Sequence, residues 1–190
     1  MEERTESLIA AKRTSARWCD RCRKVLSHCI CADADVMCNT LPVWILQHPD
    51  EYRHPLNTAV IAQAFLSRCR LWTGLDFSVH NPLCRQLATR FEHTYVLYPA
   101  PDAPVLGRDL SMQALPDMSM LLVLDGTWRN TRELLHRNPR LNRLRKVTLD
   151  SGASGAYHLR KSQRQDGLST LEAVTHALES WEGCPGRYQP

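Results

Sequence analysis

Two groups of residues in this chain have the types and spacing to do chemistry. The first is Cys19, Cys22, Cys29 and Cys31, four thiols within thirteen residues. A Cys-x-x-Cys turn lets two sulfurs face one ion, and Cys29-x-Cys31 adds a second pair, which completes a tetrahedral shell for Zn(II). His28 and the more distant Cys38 are rival ligands. A redox pair and an iron–sulfur cluster would use the same sulfurs. Four clustered thiols in a segment too small for its own core favour a structural metal that supplies folding energy. The second group is Asp125-Gly126-Thr127-Trp128, where the apolar run Leu121-Leu122-Val123-Leu124 ends on a carboxylate. A carboxylate fixed at a strand end can take a proton or face a positive charge. Gly126 lets backbone approach a ligand, Thr127 suits a helix cap, and Trp128 offers a flat face for stacking. The commonplace alternative makes Asp125 the cap and Trp128 a core residue.

Charge follows directly. Between Arg129 and Arg164 ten Lys or Arg face only two acids, Glu133 and Asp150, although the whole chain carries just +4. So lopsided a block points to a polyanion, with Arg129, Arg132, Arg137, Arg140 and Arg143 as candidate phosphate contacts.

These groups need elements to position them. LPVWILQHP reads as a strand ending at Gln47-His48-Pro49, and Asn57 to Arg70 as a helix capped by Asn57 or Thr58. FSVHNP reads as a short strand or a loop. Leu83 to Phe91 reads as helical, HTYVLYPAP as a strand and PAPDAPVLGRDL as a loop. MLLVLDG is a buried central strand, and TWRNTRELLHRNP a helix that stops before Pro139. KVTLD is a further strand, a loop surrounds Gly152 and Gly155, and Ser169 to Trp181 forms the last helix. Strands alternating with helices predict an α/β fold with a mostly parallel sheet and helices on both faces. The segment 1–40 reads as a zinc-binding element and 41–190 as the catalytic domain. Ligands of such sheets sit beyond the carboxyl ends of the strands. Gln47-His48-Pro49, Tyr98-Pro99-Ala100-Pro101, and Asp125-Gly126-Thr127-Trp128 fall there.

Several classes are excluded or unsupported. No apolar run approaches the roughly 18 residues of a membrane span, and the charged N-terminus does not read as a secretory signal. A cytoplasmic protein is expected, which with eight cysteines argues against a disulfide framework. Cys38, Cys69, Cys84 and Cys184 read as scattered small hydrophobes. There is no GxGxxG and no Walker loop.

LDGTW with the arginine-rich helix and Asn138-Pro139-x-Leu141 resembles the signature of the DTW-domain family. The four-cysteine N-terminus, HPDEYRHPLNTA, and Leu159-Arg160-Lys161 with LSTLEA are similar to it too. The resemblance covers about Cys19 to Trp181, and within the family it points to the bacterial tRNA-uridine aminocarboxypropyltransferases. It implies a SPOUT-like, doubly wound domain with a C-terminal knot, a rare feature that periodicity does not reveal. It also implies S-adenosylmethionine as donor and tRNA as partner. The 3-amino-3-carboxypropyl group would move to N3 of a uridine in the variable-loop region, leaving methylthioadenosine. On this reading Asp125, Thr127 and Trp128 are catalytic. Leu97, Tyr98, Pro99, Gly126, Arg160, Ser169, Thr170 and Glu172 hold the donor, and Lys161 joins the RNA contacts. A monomer is expected. A non-catalytic zinc-dependent RNA-binding protein and an RNA methyltransferase using the same donor are the alternatives.

Overall fold

The two most apolar runs of the chain lie side by side at the centre of a sheet. The computed structural model describes residues 17–32, 34–54, 56–110, 119–150 and 168–188. Strands β1 (Val43–Gln47) and β4 (Met120–Asp125) are buried at every position. Burial that continuous needs cover on both faces, as in a parallel sheet flanked by helices. β2 (Cys69–Thr73), β3 (Thr94–Leu97) and β5 (Arg145–Val147) complete a five-stranded, all-parallel sheet in the order β2-β1-β4-β3-β5.

Side chains alternate between two cores. Val43, Ile45, Leu121 and Val123 meet α1 (Ala59–Phe65) and α5 (Thr170–Glu182) through Ala59, Ala62, Val174 and Leu178. Trp44, Leu46, Leu122 and Leu124 meet α2 (Asn81–Arg90), α3 (Trp128–Arg137) and the short α4 (Pro139–Asn142) through Leu83, Leu134 and Leu141. The expected α/β architecture with helices on both faces is therefore present. The knot that the resemblance implies depends on residues 151–167, which lie outside the described residues, as does the loop around Gly152 and Gly155.

The helix expected from Asn57 to Arg70 is shorter, and its last residues already belong to β2. The cause is long-range. Met37 exchanges backbone hydrogen bonds with Phe65 and Ser67, and the Asn39 side chain accepts from the Arg68 amide at 2.9 Å. Those contacts turn the chain at Ser67 and free Cys69–Thr73 to pair with β1. FSVHNP is a loop leading into α2, which His80 caps by accepting from the Leu83 amide.

Asn138 closes the opposite end of the arginine helix. Buried, it accepts from the Phe77 amide at 2.7 Å and donates to the Leu75 and Leu134 carbonyls at 2.8 and 2.7 Å. One side chain thus satisfies three backbone groups from two segments. Asn138→Ala strips the Phe77 amide and the Leu75 carbonyl of this partner, while the Leu134 carbonyl keeps the Asn138 amide, and is expected to cost about 2–4 kcal/mol, measured as the shift of a urea unfolding midpoint.

Candidate functional site

The chain leaves β1 toward one face, into α1, and leaves β4 toward the other, into α3. Adjacent parallel strands whose connections diverge in this way open a crevice at their carboxyl ends. Register sets Gln47 directly beside Asp125 there. Both side chains are buried, Asp125 to 3% exposure. A carboxylate is costly in such a place unless hydrogen-bonded. Gln47 Nε2 donates to Asp125 Oδ2 at 2.7 Å, and Thr170 Oγ1 donates to Oδ1. Thr73 Oγ1 donates to Gln47 Oε1 at 3.0 Å, which fixes the way the amide points. Thr170 is the first residue of α5, so the carboxylate also sits against the positive end of a helix.

Asp125 is therefore not a helix cap. Thr127 caps α3, its Oγ1 accepting from the Asn130 amide at 3.2 Å. Trp128 is not a core residue either. It is 42% exposed and meets the Tyr98 ring edge to face at 6.0 Å. This contact joins the end of β3 to the start of α3, with Leu97 and Tyr98 half-buried and Pro99 exposed. At Gly126 the two connections approach closely. A Cβ there would lie 2.9 Å from Asn130 Cβ and 3.4 Å from His48 Cβ.

Among the other expected donor contacts, Ser169 and Glu172 form a capping box on α5. Ser169 Oγ accepts from the Glu172 amide at 3.2 Å, and Glu172 Oε2 accepts from the Ser169 amide at 2.8 Å. Thr58 precedes α1 as expected, but its hydroxyl accepts from the Leu171 amide of α5 instead of capping its own helix. Arg160 and Lys161 lie outside the described residues. Arg129, Arg132, Arg140 and Arg143 are exposed. Arg137 is exposed too, and it donates to Glu133 at 2.8 Å, which holds that carboxyl below its usual range. Glu133 also lies 3.7 Å from Nε2 of the buried His48.

The sequence places Gln47 at one of the strand ends that could form a site without giving it a role of its own, and it does not single out Thr73. The signal for Gln47 was present, since an amide at the end of an otherwise apolar strand mirrors Asp125. The carboxyl edge carries further polar atoms without hydrogen-bond partners among the described residues. His48 Nε2, Asn57 Oδ1 and Trp72 Nε1 are buried without a hydrogen bond, His48 Nε2 having only the Glu133 carboxylate at 3.7 Å; they follow β1 or lie in the last residues of β2.

The four cysteines do come together. Their sulfurs lie within 4.8 Å of one another, with Cys19–Cys31 at 3.7 Å and Cys22–Cys29 at 3.8 Å. Sulfurs at the corners of a tetrahedral zinc site, each about 2.3 Å from the ion, stand about 3.8 Å apart. Backbone amides of Cys22 and Arg21 bring the Cys19 thiol down to about 6, whereas burial and the adjoining sulfurs push Cys31 up to about 12. A cation among them would let all four ionise. His28 and Cys38 stand outside this group.

The profile of the DTW domain matches residues 16–190, which takes in the cysteines, the crevice and α5. The chain belongs to the DTW domain family. Among curated relatives, a Drosophila melanogaster protein named tRNA-uridine aminocarboxypropyltransferase 2 is 30% identical over 172 residues, 88% of this chain and 67% of that protein. The Macaca fascicularis protein of the same name is 27% identical over 168 residues, 86% of this chain. An Arabidopsis thaliana tRNA-uridine aminocarboxypropyltransferase A is 25% identical, with 86% of this chain and 72% of that protein covered. The chain spans 56% of the Macaca relative's length. No solved structure matches it. Among the described residues no helix is long and apolar enough to cross a membrane.

In this DTW domain the glycine of Asp125-Gly126-Thr127-Trp128 is required by space, not by an unusual backbone angle. Gly126→Ala is expected to push the first turn of α3 outward at Asn130 and to lower stability by about 1–3 kcal/mol. Thermal unfolding, read as a lowered melting temperature, checks it.

Proposed function

We propose that this chain transfers the 3-amino-3-carboxypropyl group of S-adenosylmethionine to N3 of a tRNA uridine in the variable-loop region. The products are 3-(3-amino-3-carboxypropyl)uridine and methylthioadenosine. What carries the reading is a buried carboxylate at the β1–β4 crevice of a chain whose named relatives are tRNA-uridine aminocarboxypropyltransferases. The crevice suits a cationic, adenine-bearing donor. It offers a fixed negative charge, an aromatic pair in Tyr98 and Trp128, and polar atoms without a hydrogen bond along its edge. When bound, the donor supplies an electrophilic carbon beside a sulfonium, and the electron pair of the broken carbon–sulfur bond leaves with sulfur.

Asp125 then has two roles to choose between. Each of its oxygens keeps a lone pair beyond the hydrogen bond it accepts, so it can still take the uracil N3 proton. The charge role, complementary to the sulfonium, is the better served by this geometry. Trp128 and Tyr98 stack on the donor or the uracil, with Leu97, Pro99 and Gly126 lining the same edge. Ser169, Thr170 and Glu172 act by holding the α5 terminus against Asp125, and Arg160 pairs with the donor's carboxylate. Arg129, Arg132, Arg137, Arg140, Arg143 and Lys161 hold phosphates. The four cysteines hold a structural Zn(II), because a single ion fits sulfurs this close, whereas a multi-iron cluster would spread them further.

About one zinc per chain is expected by elemental analysis, falling to near zero in Cys19→Ser plus Cys22→Ser. A stoichiometric metal other than zinc, or zinc unchanged in the double variant, refutes the assignment.

The reaction itself is tested with tRNA and donor labelled either in the carboxypropyl part or in the methyl group. Label from the carboxypropyl part should enter tRNA while methyl label stays on the small molecule. Methyl label in tRNA makes the chain a methyltransferase, and no transfer at all leaves a binding protein. In Asp125→Asn the amide oxygen can face Gln47 and the amide nitrogen can face the Thr170 hydroxyl, so the fold should stand. Single-turnover transfer is expected to fall by about a hundredfold or more. Near-normal transfer by a stably folded variant would remove Asp125 from the chemistry.

A further inference from the structure

The cysteine element has an outer surface that metal binding does not use. Arg17–Trp18 and Val25–Leu26 form a small antiparallel ribbon, closed by the Trp18–Val25 bridge and the Cys19 amide on the Lys24 carbonyl at 2.8 Å. On it Trp18 is 53% exposed and Leu26 55%. From Arg17 to Cys31 four cations, Arg17, Arg21, Arg23 and Lys24, face one acid, Asp20. A large aromatic held outward among cations, on a turn locked by its cysteines, has the chemistry that stacks an unpaired base and neutralises its phosphates.

Its place in the molecule matters as much. Arg21 donates to the Ala64 carbonyl at 3.0 Å and stacks on Phe65, while Arg23 stacks on Tyr52 at 5.1 Å. Ala64 belongs to α1, and Tyr52 to the loop that leaves β1 at its carboxyl end. The element therefore lies along the α1 side: Arg23 reaches the loop beyond the carboxyl end of β1, and Arg21 anchors the element at the last turn of α1, away from the crevice. The arginine helix α3 flanks the other face of the sheet.

We propose that the cysteine element is a second RNA-binding surface, on which Trp18 stacks an unpaired base of the tRNA while Arg17 and Lys24 contact adjoining phosphates. The inference rests on the tRNA reading above. With α3 on one side and this ribbon on the other, the RNA would straddle the carboxyl edge of β1 and β4. Both positive surfaces would then fix the uridine relative to Asp125.

The test measures binding of an unmodified tRNA transcript and of a blunt RNA duplex of similar length to the purified full chain across a salt series. Trp18→Ala should weaken tRNA binding about tenfold, leave the duplex unaffected and keep the metal content, while Trp18→Phe should restore most of the affinity. Arg17→Gln with Lys24→Gln should lower the slope of log affinity against log salt by about 1.5. If these variants bind tRNA as the parent does, with the parent's salt slope, the inference is wrong while the proposed reaction stands. If the parent itself binds no tRNA, both fall together. If Trp18→Ala changes the mass of the protein in solution at unchanged tRNA affinity, the surface seats a second copy and not RNA. Should Trp18→Ala lose metal, the Phe variant and the Arg17/Lys24 pair, which keep the ribbon, decide between these outcomes.

Discussion

One buried carboxylate ties together parts of the chain that are far apart in sequence. Asp125 ends the central strand and accepts from Gln47 of the neighbouring strand and from Thr170 at the start of the last helix. Gln47 is turned by Thr73 at the end of β2. Three strand or helix termini are thus held by a single charge. An interior carboxylate is expensive unless its lone pairs are met, and removing one partner of such a network costs more than the bond itself is worth. The same arrangement holds the carboxylate at the crevice in one orientation, so that a role in the proposed transfer would need no reorganisation.

Two further devices keep the crevice in shape. Gly126 lets α3 start almost in contact with His48, and Thr127 takes over the capping that Asp125 would otherwise perform. The division of labour matters chemically. If Asp125 bonded the first amides of α3, its charge would be spent on that helix. With Thr127 as the cap and the Asp125 side chain turned to the opposite face of the sheet, the carboxylate belongs to the crevice and to α5.

How far the sequence carried depended on whether a signal was local. The central strands were legible because continuous apolar runs of five or six residues have few other fates in an α/β chain. The cysteine cluster was legible because ligand spacing is itself local. β2 was not, since Cys69 and Arg70 continue the helical pattern of α1 and only Met37 and Asn39, thirty residues upstream in round terms, break it. Ser169 and Glu172, donor contacts on the family resemblance, also have the spacing of a capping box, which is what forms. At Asp125 the residue type and strand end were read correctly, yet its partners could not be, because Gln47 and Thr170 reach it through register and topology. A pairing across 78 residues leaves no local trace.

The single acid of α3 illustrates how a binding face is kept in register with a site. Glu133 lies among exposed arginines, where it lowers the very charge that would attract phosphate. It accepts from Arg137 at 2.8 Å and approaches His48 at 3.7 Å, so it links the basic helix to the loop that leaves β1. Exposed ion pairs contribute little to stability, so the link matters more for position than for energy. At the far end Asn138 fixes the same helix to Leu75 and Phe77. A helix fixed at both ends presents Arg129 and Arg132 at set distances from the crevice, and Arg140 and Arg143 follow on the short α4 and its end. Phosphate contacts carry no sequence information but do set orientation. On the function proposed above, a rigid row of them would convert nonspecific attraction into a fixed approach of one nucleotide to Asp125, and alignment of reacting atoms is where much of the rate of a group transfer comes from.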